Sequence, residues 1–239
     1  MSSWVSNSSK LREIFKWLYK AHGPQHWWPG DMPFEVMIGA ILTQNTAWSN
    51  VEKAIASLKA IDCLNPEAIL ALSHESLAGL LCPTGYFNVK ARRLQDFCEW
   101  YLAQGGYKTL ARQETAALRG RLLGLKGLGP ETADDILLYA FKRPVFVIDA
   151  YTRRLFARIG VIQGDEGYEE LRYVFESALG PDVALYNEFH ALIVRHAKEV
   201  CKSQPACSGC GLAARCLASF IYLQQPPSEH DIDFLVITR

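Results

Sequence analysis

Several residues in this chain stand at spacings that could do chemistry. Leu125-Lys126-Gly127-Leu128-Gly129-Pro130-Glu131 places two glycines two apart, just before a helix start. Glycine admits backbone angles that a β-carbon blocks and lets another backbone come close. The helix that follows offers N–H groups and a positive dipole end, which suit a phosphate, and Lys126 adds charge beside them. A phosphate held this way is gripped without reading sequence. An ordinary tight helix–helix connection uses the same residues, so the glycines alone do not decide. Twenty residues after Gly129 stands Asp149, within Val-Phe-Val-Ile-Asp-Ala-Tyr-Thr. An aspartate before a helix is usually only its N-cap. The apolar run ahead of this one, however, pins it inward. A hairpin that grips a phosphate and a fixed carboxylate form a unit for chemistry on a nucleotide.

The second constellation is Cys201, Cys207, Cys210 and Cys216, spaced C-x5-C-x2-C-x5-C. Four thiolates within sixteen residues can close around one metal centre. From spacing alone, a four-thiolate zinc site and a [4Fe–4S] cluster both fit. Such bunching is not how a disulfide framework usually looks. The remaining cysteines, Cys63, Cys82 and Cys98, lie in apolar or helical stretches and read as small buried hydrophobes.

The elements that must position these groups have helical period throughout. Leu11, Ile14, Phe15 and Leu18 follow the i, i+3, i+4, i+7 pattern, and Val51, Ala54, Ile55 and Leu58 repeat it. Asn65-Pro66-Glu67 reads as a helix start, with a cap residue, a proline in the first turn and then an acid. Helices are expected over 89–104, stopped by Gly105-Gly106, and over 113–123, 130–141, 150–159, 168–179 and 182–200. Val145 to Ile148 is the one strand-like run in the body, and it is too short to be more than an extended connector. The fold class is all-α.

At 239 residues and 49% hydrophobic, the chain can bury one large core or two smaller ones and does not read as disordered. The N-terminus has no apolar signal region and no stretch approaches the ~18 apolar residues of a membrane span, so a soluble, cytoplasmic protein is expected. The net charge of +0 counts mildly against a nucleic-acid partner. Local basic runs still act inside a neutral chain. Two exist, Lys90-Ala91-Arg92-Arg93 and Arg153-Arg154-Leu155-Phe156-Ala157-Arg158. Their bland reading is a pair of solvated helix faces.

Taken together, the hairpin, the aspartate and the cysteine loop resemble the helix-hairpin-helix DNA glycosylase superfamily over roughly residues 10 to 217. The stretch Ile41-Leu42-Thr43-Gln44-Asn45-Thr46-Ala47-Trp48 is similar to the family's early helix, where a glutamine enters the gap left by an extruded base. That implies DNA contacts at Gln44 and Asn45. Gly85 to Ala91 resembles a second loop along the DNA backbone and implies a contact at Lys90. The hairpin maps to Lys126, Gly127 and Gly129, and the catalytic acid to Asp149. The cysteine loop and the His-Ala-Lys-Glu-Val-Cys before it resemble the endonuclease III branch, which implies a [4Fe–4S] cluster on Cys201, Cys207, Cys210 and Cys216. The first gap of this loop is one residue shorter than usual there.

The resemblance departs from that branch at Glu131. Bifunctional members carry a lysine two residues after the second hairpin glycine, and a carboxylate cannot form the Schiff base of lyase chemistry. Trp27-Trp28-Pro29, Trp48, Glu131 and Phe189-His190-Ala191 resemble the 3-methyladenine DNA glycosylase III branch instead. There a glutamate also replaces the lysine, and aromatic residues and a proline pack the damaged base. The implied base pocket is Trp27, Trp28, Pro29, Trp48, Glu131 and Lys198. Each has a plainer reading: the tryptophans as core anchors, Glu131 as an acid favoured in a helix's first turn, and Lys198 as the basic residue before the cysteine loop.

The family's fold implies a central helical domain over 33–144, a terminal-helix domain from 1–32 with 145–225, and a tail at 226–239. The implied activity is monofunctional excision of an alkylated purine from double-stranded DNA containing damaged bases, by a monomer with no membrane partner. A glycosylase for deaminated, mismatched or oxidised bases is the alternative within the class. A silent damage-binding module is the alternative outside it, and an ionisable Asp149 speaks against that.

Overall fold

The computed structural model describes residues 2–27 and 30–224, with side chains from residue 9 to residue 223. Among these residues there is no strand, and the chain is built of α-helices joined by short turns. In chain order they are α1 (Ser2–His22), α2 (Pro33–Leu42), α3 (Trp48–Ala60), α4 (Pro66–Ala71), α5 (His74–Leu81), α6 (Phe87–Ala103), α7 (Gly106–Leu110), α8 (Thr115–Leu123), α9 (Pro130–Asp135), α10 (Ala150–Ile159), α11 (Tyr168–Leu179), α12 (Val183–Glu199) and α13 (Leu217–Gln224). The expected tail at 226–239 lies outside the described residues. The chain divides into two compact units, one drawn from Met1–Trp27 and Pro144–Arg239, the other from Trp28–Arg143.

In the second of these units α2 is the central element. Every residue from Glu35 to Leu42 is buried, because the helix packs against α3, α6, α9 and the turn that follows α9. That all-round apolar character is what a helix enclosed on every side requires. Shorter helices rely on their caps. Asn65 Oδ1 accepts from the Ala68 amide at 2.8 Å, and Ser73 Oγ accepts from the Ser76 amide at 3.1 Å. Each such cap contributes about 1 kcal/mol. The segment expected as one helix over 130–141 instead changes character, with α9 passing into a π-turn at Ile136–Ala140. Phe141 N donates to Ile136 O at 3.2 Å, five residues back. The widened turn buries all five residues from Ile136 to Ala140 against α2.

In the other unit α1 packs on α11 and α12, and α10 packs on α12. Its core is an aromatic cluster of Phe146, Phe156, Phe175, Tyr186 and Phe189, with ring centroids 4.6 Å apart for Phe146–Phe175 and 4.9 Å for Phe156–Phe175. Val145 to Ile148 is an extended connector with every residue buried. The Phe146 amide donates to Glu176 Oε1 at 3.0 Å, so the connector has no sheet partner and borrows a side chain instead. Of the three cysteines expected to be buried, only Cys98 is; Cys63 is half-buried and Cys82 exposed, because α5 ends at Leu81 and turns Cys82 outward.

Candidate functional site

The hairpin lies in the unit built around α2. Gly127 has φ +87°, and a β-carbon there would sit 2.3 Å from Arg93 Nε. The backbone therefore favours glycine at this position, and a β-carbon would also displace the Arg93 side chain. Gly129 differs from what the sequence suggests: its φ of −86° suits any residue, and a β-carbon would meet nothing within 4 Å. It is the exposed N-cap of α9 and supplies no side-chain cap. The fold therefore leaves room above Gly129 that it does not itself use. A buried ion pair braces the hairpin from behind. Arg119 on α8 donates to both carboxylate oxygens of the fully buried Asp134 on α9, at 2.6 and 3.0 Å. Breaking such a pair costs about 3–5 kcal/mol, which fixes the angle between the two helices.

Gln44 is tied to this hairpin. Its Nε2 donates to Gly127 O at 3.0 Å and to Thr132 Oγ1 at 2.9 Å, and its Oε1 accepts from Arg93. Arg93 was visible in the sequence only as part of a basic run. Here it is the residue that joins Gln44 to the turn. Asn45 is exposed and left-handed, at φ +53°, a conformation asparagine tolerates better than most residues. Lys126 is exposed on the turn, and Glu131 is exposed in the first turn of α9.

Lys90 corrects an expectation. It is only 1% exposed, and its ammonium donates inward to Leu42 O at 2.9 Å and Thr84 O at 2.7 Å. Burial, with Arg93 nearby, lowers its pKa to about 8. It closes the end of α2 and is not a surface charge for a phosphate. The Gly85–Ala91 segment presents Tyr86 outward, 74% exposed and left-handed at φ +47°, directly after Gly85 at φ +66°, with Phe87 and Val89 exposed beside it.

Trp48 is half-buried with its ring over α2, so that a β-carbon at Gly39 would lie 3.1 Å from it. Beside it opens a cavity of about 290 Å³ lined by Gly30, Glu35, Glu52, Ile55 and Lys59 among others. Lys59 Nζ bridges Glu35 at 2.8 Å and Asp31 at 2.9 Å. Trp28 and Pro29 lie outside the described residues.

Asp149 lies in the other unit, at the end of the buried connector. It caps α10 as its position suggests: Oδ1 accepts from the Thr152 amide and the Thr152 hydroxyl, both at 2.7 Å. Its Oδ2 is 3.3 Å from His190 Nε2 on α12. Burial alone would raise the pKa of this carboxyl, but the facing His190 and the bonds from Thr152 outweigh it and hold it below the usual carboxylate value. Asp149 is therefore an ionised, buried carboxylate at neutral pH. In the sequence His190 stands only within the Phe189-His190-Ala191 resemblance, without a role of its own. Its signal was there, since Tyr186, Phe189, His190 and Ile193 form one buried stripe of α12. Trp27 stacks on the His190 ring at 5.7 Å and 16°. One face of that tryptophan is thus covered by the imidazole. Lys198 is exposed, with its ammonium 5.7 Å above the Tyr151 ring, which Arg154 also approaches at 5.2 Å.

The second basic run is not a solvated face. Arg153 donates to Glu166 O, Arg154 to Cys201 O and Ala197 O, and Arg158 to the carbonyls of Lys202 and Ser203. Arg154 and Arg158 tie α10 to the cysteine loop. Cys201, Cys207, Cys210 and Cys216 all line one cavity of about 20 Å³ together with Arg158 and His196. Burial, and then the neighbouring cysteines, push the thiols of Cys207, Cys210 and Cys216 up. Among the described residues no group of three or more His, Cys, Asp or Glu side chains is placed to hold a metal ion. His196 Nε2 approaches Cys210 Sγ at 3.7 Å, and its Nδ1 meets His22 Nε2 at 3.0 Å. No helix among the described residues is long and apolar enough to cross a membrane.

Residues 38–181 match the family described as HhH-GPD superfamily base excision DNA repair protein. A protein of Methanocaldococcus jannaschii assigned as a DNA repair glycosylase is 43% identical over 211 residues, covering 87% of this chain and 96% of the relative. The solved 3-methyladenine DNA glycosylase of H. pylori, bound to 1,N6-ethenoadenine, is 30% identical with a TM-score of 0.68, covering 82% of this chain and 97% of that one. A non-covalent endonuclease III–DNA complex matches with a TM-score of 0.80 over 91% of this chain and 99% of that one. At 21% identity that last match is a likeness of fold.

Proposed function

Because the chain belongs to the HhH-GPD superfamily of base excision DNA repair proteins, we propose that it is a DNA glycosylase that hydrolyses the N-glycosidic bond of an alkylated purine and leaves the abasic strand uncut. The observation that carries the second half is Glu131. It occupies the first turn of α9, two residues beyond Gly129, where bifunctional relatives carry the lysine that attacks the sugar. A carboxylate forms no Schiff base. Likeness to the H. pylori enzyme supports the purine class.

In this reading the hairpin at Lys126, Gly127 and Gly129 receives a backbone phosphate, with Asn45 and Gln44 beside it and the Tyr86 ring available to stack on a base. Base flipping then brings the damaged nucleotide to the carboxylate. A base alkylated on the ring carries positive charge and leaves without a general acid. Asp149, held ionised, stabilises the oxocarbenium-like sugar and orients the attacking water, as carboxylates do in glycoside hydrolysis. Aromatic stacking, which the resemblance to the 3-methyladenine DNA glycosylase III branch implies, favours a cation over a neutral pyrimidine. Stacking contributes about 0.5–2 kcal/mol, and the Glu131 charge repels the carbonyl edges of uracil and thymine.

The four thiols at Cys201, Cys207, Cys210 and Cys216 would hold a [4Fe–4S] cluster. The spacing of the four cysteines, which line one cavity, suits a four-thiolate zinc site as well, and the resemblance of the loop to the endonuclease III branch is what supports the cluster. Its contribution would be structural, adding to the bonds by which Arg154 and Arg158 tie the loop after α12 to α10.

The test is base release at equal enzyme from duplexes carrying 3-methyladenine, beside U·G, T·G and oxidised-pyrimidine duplexes, with and without hot alkali. Purine release with strand breakage only after alkali is expected. Borohydride trapping of a covalent complex at the rate of base release would refute the monofunctional assignment. Faster excision of a neutral pyrimidine would refute the substrate.

A further inference from the structure

We propose that His190 is the positioning residue for Asp149: its Nε2 lies 3.3 Å from Oδ2, the oxygen that remains once Oδ1 has accepted both bonds from Thr152. The two oxygens of Asp149 have different duties. Both Oδ1 bonds come from the first turn of α10, and an N-cap in any helix makes bonds of this kind. They fix the carboxylate to its own helix and say nothing about chemistry. Oδ2 meets a residue forty-one positions further on, from a different helix. A cap does not need that contact.

His190 is built to stay where it is. It is 4% exposed, within the buried stripe of α12, and Trp27 lies nearly parallel to its ring at 5.7 Å. A buried imidazole nitrogen 3.3 Å from an ionised carboxylate oxygen favours the tautomer with the proton on Nε2. Other charged and titratable groups near these elements are engaged elsewhere. Arg153 donates to Glu166 O, Arg154 to Ala197 O and Cys201 O, and Glu188 accepts from the Gln25 amide. The Tyr168 hydroxyl accepts from the Ile148 amide, and Glu176 from the Phe146 amide and Arg172. His190 is thus the group that opposes the burial of the Asp149 charge from outside its own helix. It also sets where Oδ2 stands, and Trp27 in turn holds His190.

The proposal rests on the reading of Asp149 as the ionised carboxylate of the reaction, but its central measurement does not require a substrate. In the full-length protein, the Asp149 carboxyl ¹³C resonance is identified by its loss in Asp149→Asn and titrated in wild type, His190→Leu and His190→Gln. Removing the imidazole leaves burial unopposed on that side, so the Asp149 midpoint in His190→Leu should rise by at least about one pH unit, a tenfold change in proton affinity. The acid limb of kcat/KM should rise with it. A glutamine side chain keeps an N–H donor near the place of the imidazole Nε2, so His190→Gln should restore the midpoint and keep kcat within about threefold of wild type. An unmoved Asp149 midpoint in His190→Leu, or a glutamine variant as impaired as the leucine one, overturns the proposal. Should His190→Leu fail to fold, the Nε2–H resonance of His190 decides, since it must shift in Asp149→Asn if the contact exists. A wild type that releases no base from any duplex while the Asp149 midpoint still depends on His190 overturns the glycosylase reading alone.

Discussion

The two hairpin glycines should fail in opposite ways when replaced by alanine. At Gly127 the φ of +87° imposes left-handed strain of about 1–2 kcal/mol on any residue with a β-carbon. The new atom also lies 2.3 Å from Arg93 Nε and 3.0 Å from Arg93 Cδ and Cζ, so the guanidinium must leave. Leaving breaks its bond to Gln44 Oε1, a charge-assisted contact on a half-buried group, worth about 1 kcal/mol after allowance for solvent. The sum is about 2–3 kcal/mol, which for a chain of this size lowers Tm by about 5–10 °C. At Gly129 neither penalty applies, because φ is −86° and nothing lies within 4 Å of the added carbon. Gly129→Ala should keep its Tm or gain slightly, since alanine restricts the unfolded chain. If a phosphate uses that open space, however, DNA affinity should fall about tenfold or more, the loss of one hydrogen bond to a charged group. Differential scanning fluorimetry and fluorescence anisotropy with an abasic-site duplex, at one fixed salt concentration, measure the two quantities side by side. A Gly127→Ala variant as stable as wild type would refute the strain argument. Unchanged DNA affinity in Gly129→Ala would remove the hairpin from the DNA interface.

Other outcomes follow from the same geometry. Asp149→Asn keeps an oxygen for the Thr152 bonds and loses the charge, so base release should be abolished in a folded protein whose Tm falls modestly, and near-normal turnover would show that Asp149 is only a cap. Because the folded pKa of Asp149 is lowered, its ionised form adds stability above the ordinary aspartate value of about 3.9 that is lost as pH falls through the folded value; urea titrations should show this acid leg in wild type and not in Asp149→Asn. Lys126→Ala should reduce the slope of log affinity against log salt by about one, while Lys90→Met should leave that slope alone, since the Lys90 ammonium faces Leu42 O and Thr84 O. Protein purified without oxygen should be brown with about four irons per chain and lose colour in Cys207→Ser, whereas stoichiometric zinc without colour would refute the cluster.

Local signals carried far in this chain. Helical stripes, the Asn65 cap, the glycine stop after α6 and the aspartate before α10 are all written within one or two turns of sequence, and each stands where that local chemistry puts it. The groups that escaped are those whose meaning is set by a partner far along the chain. His190 reads as one more residue of an apolar stripe until Asp149 is brought to 3.3 Å. Arg93 reads as a surface charge until the turn at Gly127 closes beside it. Lys90 sits in the same basic run and does the reverse, turning its ammonium onto the last carbonyls around α2.

The net charge misled for a related reason. In this protein many cations bind the protein itself. Arg119 holds Asp134, Arg143 holds the carbonyls of Ala111 and Gln113, and Arg154 and Arg158 hold those of the cysteine loop. A formal balance of +0 counts these internal tethers equally with the exposed Lys126. A neutral total therefore says little about the field beside the hairpin, which its exposed charges set. The salt dependence of binding, not the composition, is the quantity that counts them. Its slope should respond to Lys126 and ignore Lys90, although the two lysines are indistinguishable in a charge sum.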